Sequence, residues 1–291
     1  AISICRKHSQ IPRGRAHSHL WRGADFVGLQ SNTNSFDDSD SHGIKALMEF
    51  PSELIFFLRK AERVSVLTGA GASQESGLRT FRDAQSGLWA QYRPEDLASP
   101  EAFARDPKLV WDWYAFRREA VKAVRPNPGH YALVEMEDKI PEFTLITQNV
   151  DGLHLLAGSR NVLELHGNIL RVRCSECGIF TETWGSDLES VPCCETCGGL
   201  LRPDVVWFGE SLPRTELESA VAASRKSQVF FSIGTSGVVQ PAAALAHAAR
   251  NNGSVVIEVN AEPTPLTPKV DFAFHGRSGE ILPELVKAVW G

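Results

Sequence analysis

Short apolar runs alternate with amphipathic stretches along most of the chain. Runs rich in Val, Ile, Leu and Phe lie at 64–68, 143–147, 162–165, 228–233, 255–259 and 271–274, with the length and composition of buried strands. Between them, helical patterns cover 44–60, 107–124, 128–139, 214–225 and 239–251. Strands alternating with helices predict an α/β fold with a doubly wound parallel sheet. Two regions break the alternation: 83–123 is aromatic and helical, and 167–203 is rich in cysteine and turn residues. Both are expected to be insertions that form a smaller second domain.

Residues 1–43 stand apart from this pattern. The first stretch carries Arg6, Lys7, Arg13, Arg15 and Arg22 without an acidic residue, and a polar run with Asp37, Asp38 and Asp40 follows. A basic, acid-poor start resembles an organellar transit peptide, and a tail without fixed structure fits it equally well. A transit peptide would imply a mitochondrial address; otherwise the expectation is cytoplasmic. The rest has ordinary globular composition, with 43% hydrophobic and 22% charged residues. A net charge of −5 argues against a dedicated nucleic-acid binder. The longest uncharged stretch, 227–249, is broken by Gly234, Gly237, Gln240 and Pro241, so no membrane span is expected. A monomer is the expected state.

Five of the six cysteines fall between Cys174 and Cys197, and the sixth is Cys5. One local cluster in a long chain points to metal rather than to disulfides. Cys174, Cys177, Cys194 and Cys197 make C-x2-C-x16-C-x2-C, the spacing of a four-thiolate zinc ribbon. Two sulfurs on one tight turn can reach the same ion, and two such turns complete a tetrahedron. Cys193 competes for the second turn, although Cys194 keeps the two-residue spacing. Four thiolates leave no open coordination position, so the ion should hold structure rather than do chemistry.

Gly69-Ala-Gly71 follows the first apolar strand and precedes a helical run. Glycines at such a turn let backbone N–H groups approach a pyrophosphate. The third glycine of the dinucleotide fingerprint is replaced by Gln74, so the turn alone is a modest signal. Two further strand ends carry polar groups, Gly234-Thr-Ser236 after Ile233 and Asn260-Ala-Glu262 after Val259. Open α/β sheets bind ligands at the carboxyl ends of their strands. The expected architecture is therefore Rossmann-like, built from 44–82, 124–166 and 204–291, with 83–123 and 167–203 as a smaller helical plus zinc-ribbon domain.

Gly69-Ala-Gly-Ala-Ser73, Ser76-Gly-Leu-Arg-Thr-Phe-Arg82, Thr147-Gln-Asn-Val-Asp-Gly-Leu-His154, Leu165-His-Gly-Asn168, the paired cysteines, Val205-Val-Trp-Phe-Gly-Glu210, Gly234-Thr-Ser236 and Asn260 occur in this order. Together they resemble the sirtuin family from about residue 44 to the C-terminus. The resemblance implies an NAD-consuming enzyme that removes acyl groups from lysine side chains. Gly69, Ala70, Gly71, Ser73, Thr80, Phe81 and Arg82 would contact NAD. Gln148, Asn149 and Asp151 would hold the nicotinamide end, and Gly234, Thr235, Ser236, Asn260, Glu262 and Ser278 the rest of the cofactor pocket. Val206, Phe208 and Gly209 would pair with the substrate backbone as an added strand. His166 would be the catalytic base. In the implied chemistry nicotinamide leaves, the acyl oxygen attacks the ribose carbon, and a deprotonated ribose hydroxyl then attacks the resulting imidate. An imidazole titrating near neutrality suits that proton transfer. Products would be lysine, nicotinamide and acyl-ADP-ribose, and partners acylated-lysine proteins or peptides.

Tyr114 and Arg117 share one face of a helix. Physics alone favours a plain amphipathic helix with core aromatics and solvated Arg117 and Arg118. The Tyr-x-x-Arg pattern is, however, similar to that of class III sirtuins, where it binds the carboxylate of succinyl- or malonyl-lysine. Pro94 stands about where the mitochondrial class III enzyme has a small residue that widens the acyl pocket. Removal of both acidic acyl groups (succinyl, malonyl, glutaryl) and acetyl is expected. A deacetylase with weak desuccinylase activity, a hydride-transferring Rossmann oxidoreductase, a non-enzymatic zinc module and mono-ADP-ribosyl transfer are the competing readings.

Overall fold

The computed structural model describes residues 49–78, 91–184 and 190–291. The expected transit segment therefore lies outside the described residues, as do Thr80, Phe81 and Arg82.

The chain opens with α1 (Ser52–Lys60) and β1 (Arg63–Thr68), followed by the short α2 (Ala70–Gln74). Of the stretch expected to be helical from residue 44, the described residues 49–51 are not helical and the helix starts at Ser52. Pro51 precedes it, and a proline disfavours helical backbone at the residue before it. Three helices follow, α3 (Pro94–Leu97), α4 (Pro100–Arg105) and α5 (Pro107–Ala123). Next come α6 (Pro128–Lys139), β2 (Glu142–Thr147), α7 (Leu153–Ala157) and β3 (Val162–Glu164). The cysteine-rich insertion contributes β4 (Gly167–Cys174), β5 (Phe180–Thr181) and β6 (Leu201–Val205). The chain closes with α8 (Arg214–Lys226), β7 (Val229–Ile233), α9 (Ala244–Asn251), β8 (Val255–Asn260), β9 (Phe272–His275) and α10 (Ser278–Trp290). The helix expected from residue 239 begins at Ala244, because Pro241 disfavours helical backbone at Gln240 before it. Among the described residues no helix is long and apolar enough to cross a membrane.

Six strands form one parallel sheet in the order β3-β2-β1-β7-β8-β9. Successive strand residues point to opposite faces, and both faces are covered. Val64 and Val66 of β1, Phe231 of β7 and Ile257 of β8 pack with α1, α6 and α10, whereas Leu67, Phe230 and Val256 pack with α8 and α9. The chain winds outward from β1 through β2 to β3, then returns to place β7 on the other side of β1. The switch point therefore lies between β1 and β7, where a doubly wound sheet opens a ligand crevice at its carboxyl edge.

A second, antiparallel sheet, β5-β4-β6, packs with α3, α4 and α5 around Trp111, Trp113, Tyr114 and Trp207. Arg118 is only 3% exposed. Its guanidinium lies 4.9 Å from the Trp111 ring centroid and 5.0 Å from that of Trp184, tying α5 to the cysteine-rich insertion. Arg118 is therefore no solvated charge.

Candidate active site

Four strand ends meet at the switch point. The loop after β1 is held by Gly69 N–H donating to Ile233 O (3.0 Å) and Gly71 N–H donating to Gly234 O (2.8 Å). A Cβ at Gly69 would lie 2.8 Å from Gly234 O, and one at Gly71 would lie 2.8 Å from Gly234 Cα. Gly234 itself has φ +59, and a Cβ there would sit 2.3 Å from Ala72 N. The glycines are needed first because two loops of the chain pack backbone to backbone, a cause distinct from approach to a phosphate.

Asn149 bridges the neighbouring strand ends. Its Nδ2 donates to Gly69 O (2.9 Å) and to Ser73 Oγ (3.0 Å), and its N–H donates to Thr147 Oγ1 (3.0 Å). Both amide hydrogens are thus spent on positioning the first loop. Asp151 is nearly buried, its Oδ1 accepting from Leu153 N–H at 2.9 Å. Burial pushes its carboxyl up, opposed by Leu153, by Ser73 and by the positive charge of Arg117. Asn260 Nδ2 donates to Thr235 O at 3.1 Å, linking the ends of β7 and β8. Ala70, Ser236 and Glu262 are exposed at the rim, and Gln148 is half-buried. Ser278 opens α10 and donates to Glu75 Oε2 at 3.4 Å, so within the described residues its hydroxyl serves the α2–α10 contact.

His166 occupies the junction of the two sheets. Leu165 N–H donates to Thr147 O (2.9 Å) on the large sheet, while Gly167 pairs with Val205 on the small one. Gly167 has φ +79, and a Cβ would lie 2.1 Å from Asp204 O, so only glycine fits beside the imidazole. His166 Nδ1 lies 2.9 Å from Gln148 O. A carbonyl only accepts, so Nδ1 carries the hydrogen and Nε2 keeps a lone pair. Burial lowers the ring below its ordinary 6.5, with the Gln148 carbonyl pulling the other way. The half-buried ring is thus a neutral base at pH 7, still reachable from solvent.

The segment after β6 was expected to offer its backbone to a substrate. Three of its N–H groups are already committed: Val206 to His166 O (2.9 Å), Trp207 to Glu210 Oε2 (2.8 Å) and Phe208 to Ala98 O (2.9 Å). An added strand is thereby restricted to carbonyl oxygens and to the N–H of exposed Gly209. Two residues outside the expected contacts also shape the site. Trp207 donates its indole N–H to Tyr114 Oη at 3.0 Å. Asn127 caps α6 while donating to Ala72 O (2.8 Å) and Ser76 Oγ (3.2 Å), anchoring α2 from behind. A polar residue ahead of Pro128 and Gly129 was the available signal for that cap.

Beneath the strand ends, His154 Nε2 lies 3.0 Å from Thr68 Oγ1, which donates to Thr147 Oγ1 at 2.8 Å. The His130 and His154 rings lie tilted against each other with centroids 4.6 Å apart. Burial pulls His130 down to about 4, and burial with the neighbouring ring pulls His154 down to about 3. Both folded values lie below 6.5, so the neutral rings stabilise the fold above that pH. That contribution is lost as pH falls toward 4 and then 3, at up to about 1.4 kcal/mol per pH unit for each ring. The urea midpoint should therefore drop between pH 7 and pH 5, and His154→Asn should flatten the dependence. An equally steep pH profile in the variant would contradict this assignment.

The four cysteines Cys174, Cys177, Cys194 and Cys197 place their sulfurs within 4.8 Å of one another. The Cys174–Cys197 and Cys177–Cys194 separations are 3.4 and 3.7 Å. Sulfurs about 2.3 Å from a central ion stand about 3.8 Å apart on a tetrahedron, so the donor set fits one Zn2+. Cys193 lies outside the cluster, in a bridge to Leu200.

A doubly wound nucleotide-type sheet, a neutral imidazole where its edge strand β3 passes into the second sheet, and a zinc-ribbon insertion define the class of protein. The Sir2 family model matches residues 69–241, and the chain belongs to the Sir2 family, the sirtuins. An NAD-dependent protein deacylase of Aquifex aeolicus is 55% identical over 216 residues, covering 74% of this chain and 90% of the relative. A Sir2 homologue solved as an NAD complex aligns with TM-score 0.78 at 46% identity, covering 83% of this chain and 94% of that one. A Sir2 protein bound to acetylated peptide aligns with TM-score 0.73 at 30% identity, covering 81% of this chain and 96% of that one.

Proposed function

We propose that this sirtuin is an NAD-dependent protein-lysine deacylase that removes acidic acyl groups as well as acetyl, releasing nicotinamide and acyl-ADP-ribose. The NAD and peptide complexes of similar proteins support the cofactor and the substrate class. NAD would lie across the β1–β7 switch point, against the Gly69 and Gly234 loops. His166 Nε2 would take the proton of a ribose hydroxyl, its ring held by Gln148 O. Asp151 would face the nicotinamide end beside Ser73. The zinc holds the small sheet together when bound and takes no part in the chemistry.

One observation carries the acyl preference: Tyr114 and Arg117 converge on the site instead of facing solvent. Tyr114 is fully buried against Trp207, and Arg117 is close enough to Asp151 for each charge to affect the other. A phenol and a guanidinium on one face offer charge-assisted hydrogen bonds to a carboxylate. Arg117 is only partly buried.

The test is mass spectrometry of products formed from NAD and a panel of acetyl-, succinyl-, malonyl- and glutaryl-lysine peptides. Arg117→Met should lower the succinyl-to-acetyl ratio of kcat/KM by about 10–100-fold, the loss of a hydrogen-bonded charge pair. An unchanged ratio would remove the carboxylate clamp and leave plain deacetylation.

A further inference from the structure

The acyl pocket proposed above rests on Tyr114 and Arg117, but the direction of the Tyr114 hydroxyl is decided by a third residue. A phenol oxygen carries one hydrogen and two acceptor lone pairs. Trp207 donates its indole N–H to that oxygen at 3.0 Å. The phenol hydrogen must therefore turn away from the indole, since two hydrogens cannot occupy the line between the same two atoms. Burial pushes Tyr114 up to about 12, so this hydrogen stays in place across the physiological range. One helical turn along α5, the Arg117 guanidinium carbon lies 5.8 Å from the Tyr114 ring centroid. A carboxylate seated beside Arg117 can accept from both groups. A methyl group in the same place accepts from neither and leaves a buried donor without a partner.

The indole is held on several sides. Trp207 is 3% exposed, with the Arg202 guanidinium 3.3 Å from its ring centroid and the Phe103 ring 5.3 Å away. Its backbone N–H donates to Glu210 Oε2 at 2.8 Å. Glu210 is gripped in turn by both terminal nitrogens of Arg202, at 2.5 and 2.8 Å, with Arg173 at 3.6 Å. A two-pronged pair of this kind fixes direction as well as distance. The Arg202–Glu210 clamp thus sets the segment after β6, the segment sets the indole, and the indole sets the phenol.

We propose that Trp207 is a specificity-determining positioning residue, aiming the Tyr114 hydroxyl into the acyl pocket as a donor and so favouring acyl groups that end in a carboxylate. This rests on the acidic-acyl reading above. The experiment measures kcat and KM for acetyl- and succinyl-lysine peptides of one sequence in the wild type, Trp207→Phe, Tyr114→Phe, the double variant and Arg117→Met. Trp207→Phe keeps the ring and loses the N–H. Its succinyl-to-acetyl kcat/KM ratio should fall about five- to tenfold, as expected for one lost hydrogen bond, with the change in the succinyl KM. Tyr114→Phe should lower the ratio at least as much, and the double variant should fall no further. An unchanged ratio in Trp207→Phe, or additive losses in the double variant, overturns the proposal. If Trp207→Phe does not fold, Tyr114→Phe decides alone, and an unchanged ratio there overturns it. An Arg117→Met ratio that falls while that of Trp207→Phe holds sinks only this inference. An unchanged Arg117→Met ratio, or a wild type inert toward succinyl-lysine, sinks the acidic-acyl reading and this inference with it.

Discussion

Replacing His166 by alanine is expected to cut NAD-dependent deacylation by about 10²–10⁴-fold, the contribution of a well-placed general base. The reasoning begins with the hydrogen bond to Gln148 O, 2.9 Å from Nδ1. It fixes the tautomer and leaves Nε2 as the basic nitrogen. Burial then lowers the ring below 6.5, so protonation, which would destroy the lone pair, needs more acid than for a free histidine. For the wild type, kcat/KM should rise with pH through a midpoint below 6.5 and level off above it. Nicotinamide release from NAD and an acetyl-lysine peptide, followed from pH 5 to pH 8, reads both effects. The imidazole makes only this one hydrogen bond among the described residues, so the variant should still fold. Activity within tenfold of the wild type would remove His166 from the mechanism.

The second large effect is expected at the cysteine cluster. Cys194→Ser should release the metal, read as zinc per chain by elemental analysis, and cost about 4 kcal/mol or more. For a chain of this size that is roughly 8–16 °C in Tm. Beside the first cysteine turn Ile179 and Phe180 are both exposed, so the turns depend on the ion for their geometry. The damage should also reach the site. The β4 strand begins at Gly167, directly after His166, and β6 leads into Val206, whose N–H holds the His166 carbonyl. Turnover should therefore fall with the metal, although no thiolate is near the chemistry. Cys193→Ser is the matched control, because that thiol lies outside the cluster and its loss should leave zinc content unchanged. A Cys194→Ser protein with full zinc and an unshifted Tm would show that the four sulfurs are not a ligand set.

Local patterns carried much of this. The inner strands of the large sheet are runs of apolar residues because both of their faces are covered, so 64–68 and 255–259 stand out without any partner being known. The strands of the small sheet were hidden, since β4 mixes Arg171 and Arg173 with apolar residues and β6 includes Arg202, Pro203 and Asp204. Those charges are compensated by partners outside their own strand, Arg171 by Glu164 and Asp204, Arg202 by Glu210. The helix starts at Ser52 and Ala244 were misplaced because proline acts on its neighbours' backbone more sharply than hydrophobic spacing suggests.

The site divides along similar lines. The four-cysteine spacing, the Gly69 and Gly234 loops and the histidine after Leu165 are legible from residue order, because each is a local device whose parts lie close together in the chain. Properties that depend on distant partners are different. That Asn149 spends its amide on Gly69 and Ser73, that Val206 is bonded to His166, and that Trp207 meets Tyr114 across 93 residues follow from how two sheets are packed together. Residue order alone determined a doubly wound sheet, a thiolate zinc site and the residues that could do the chemistry. Only the tertiary structure decided which hydrogen bonds are already taken, and therefore which nitrogen is basic and which donors remain for a ligand. A hydrogen bond is a relation between two atoms in space, and sequence specifies only one of them at a time.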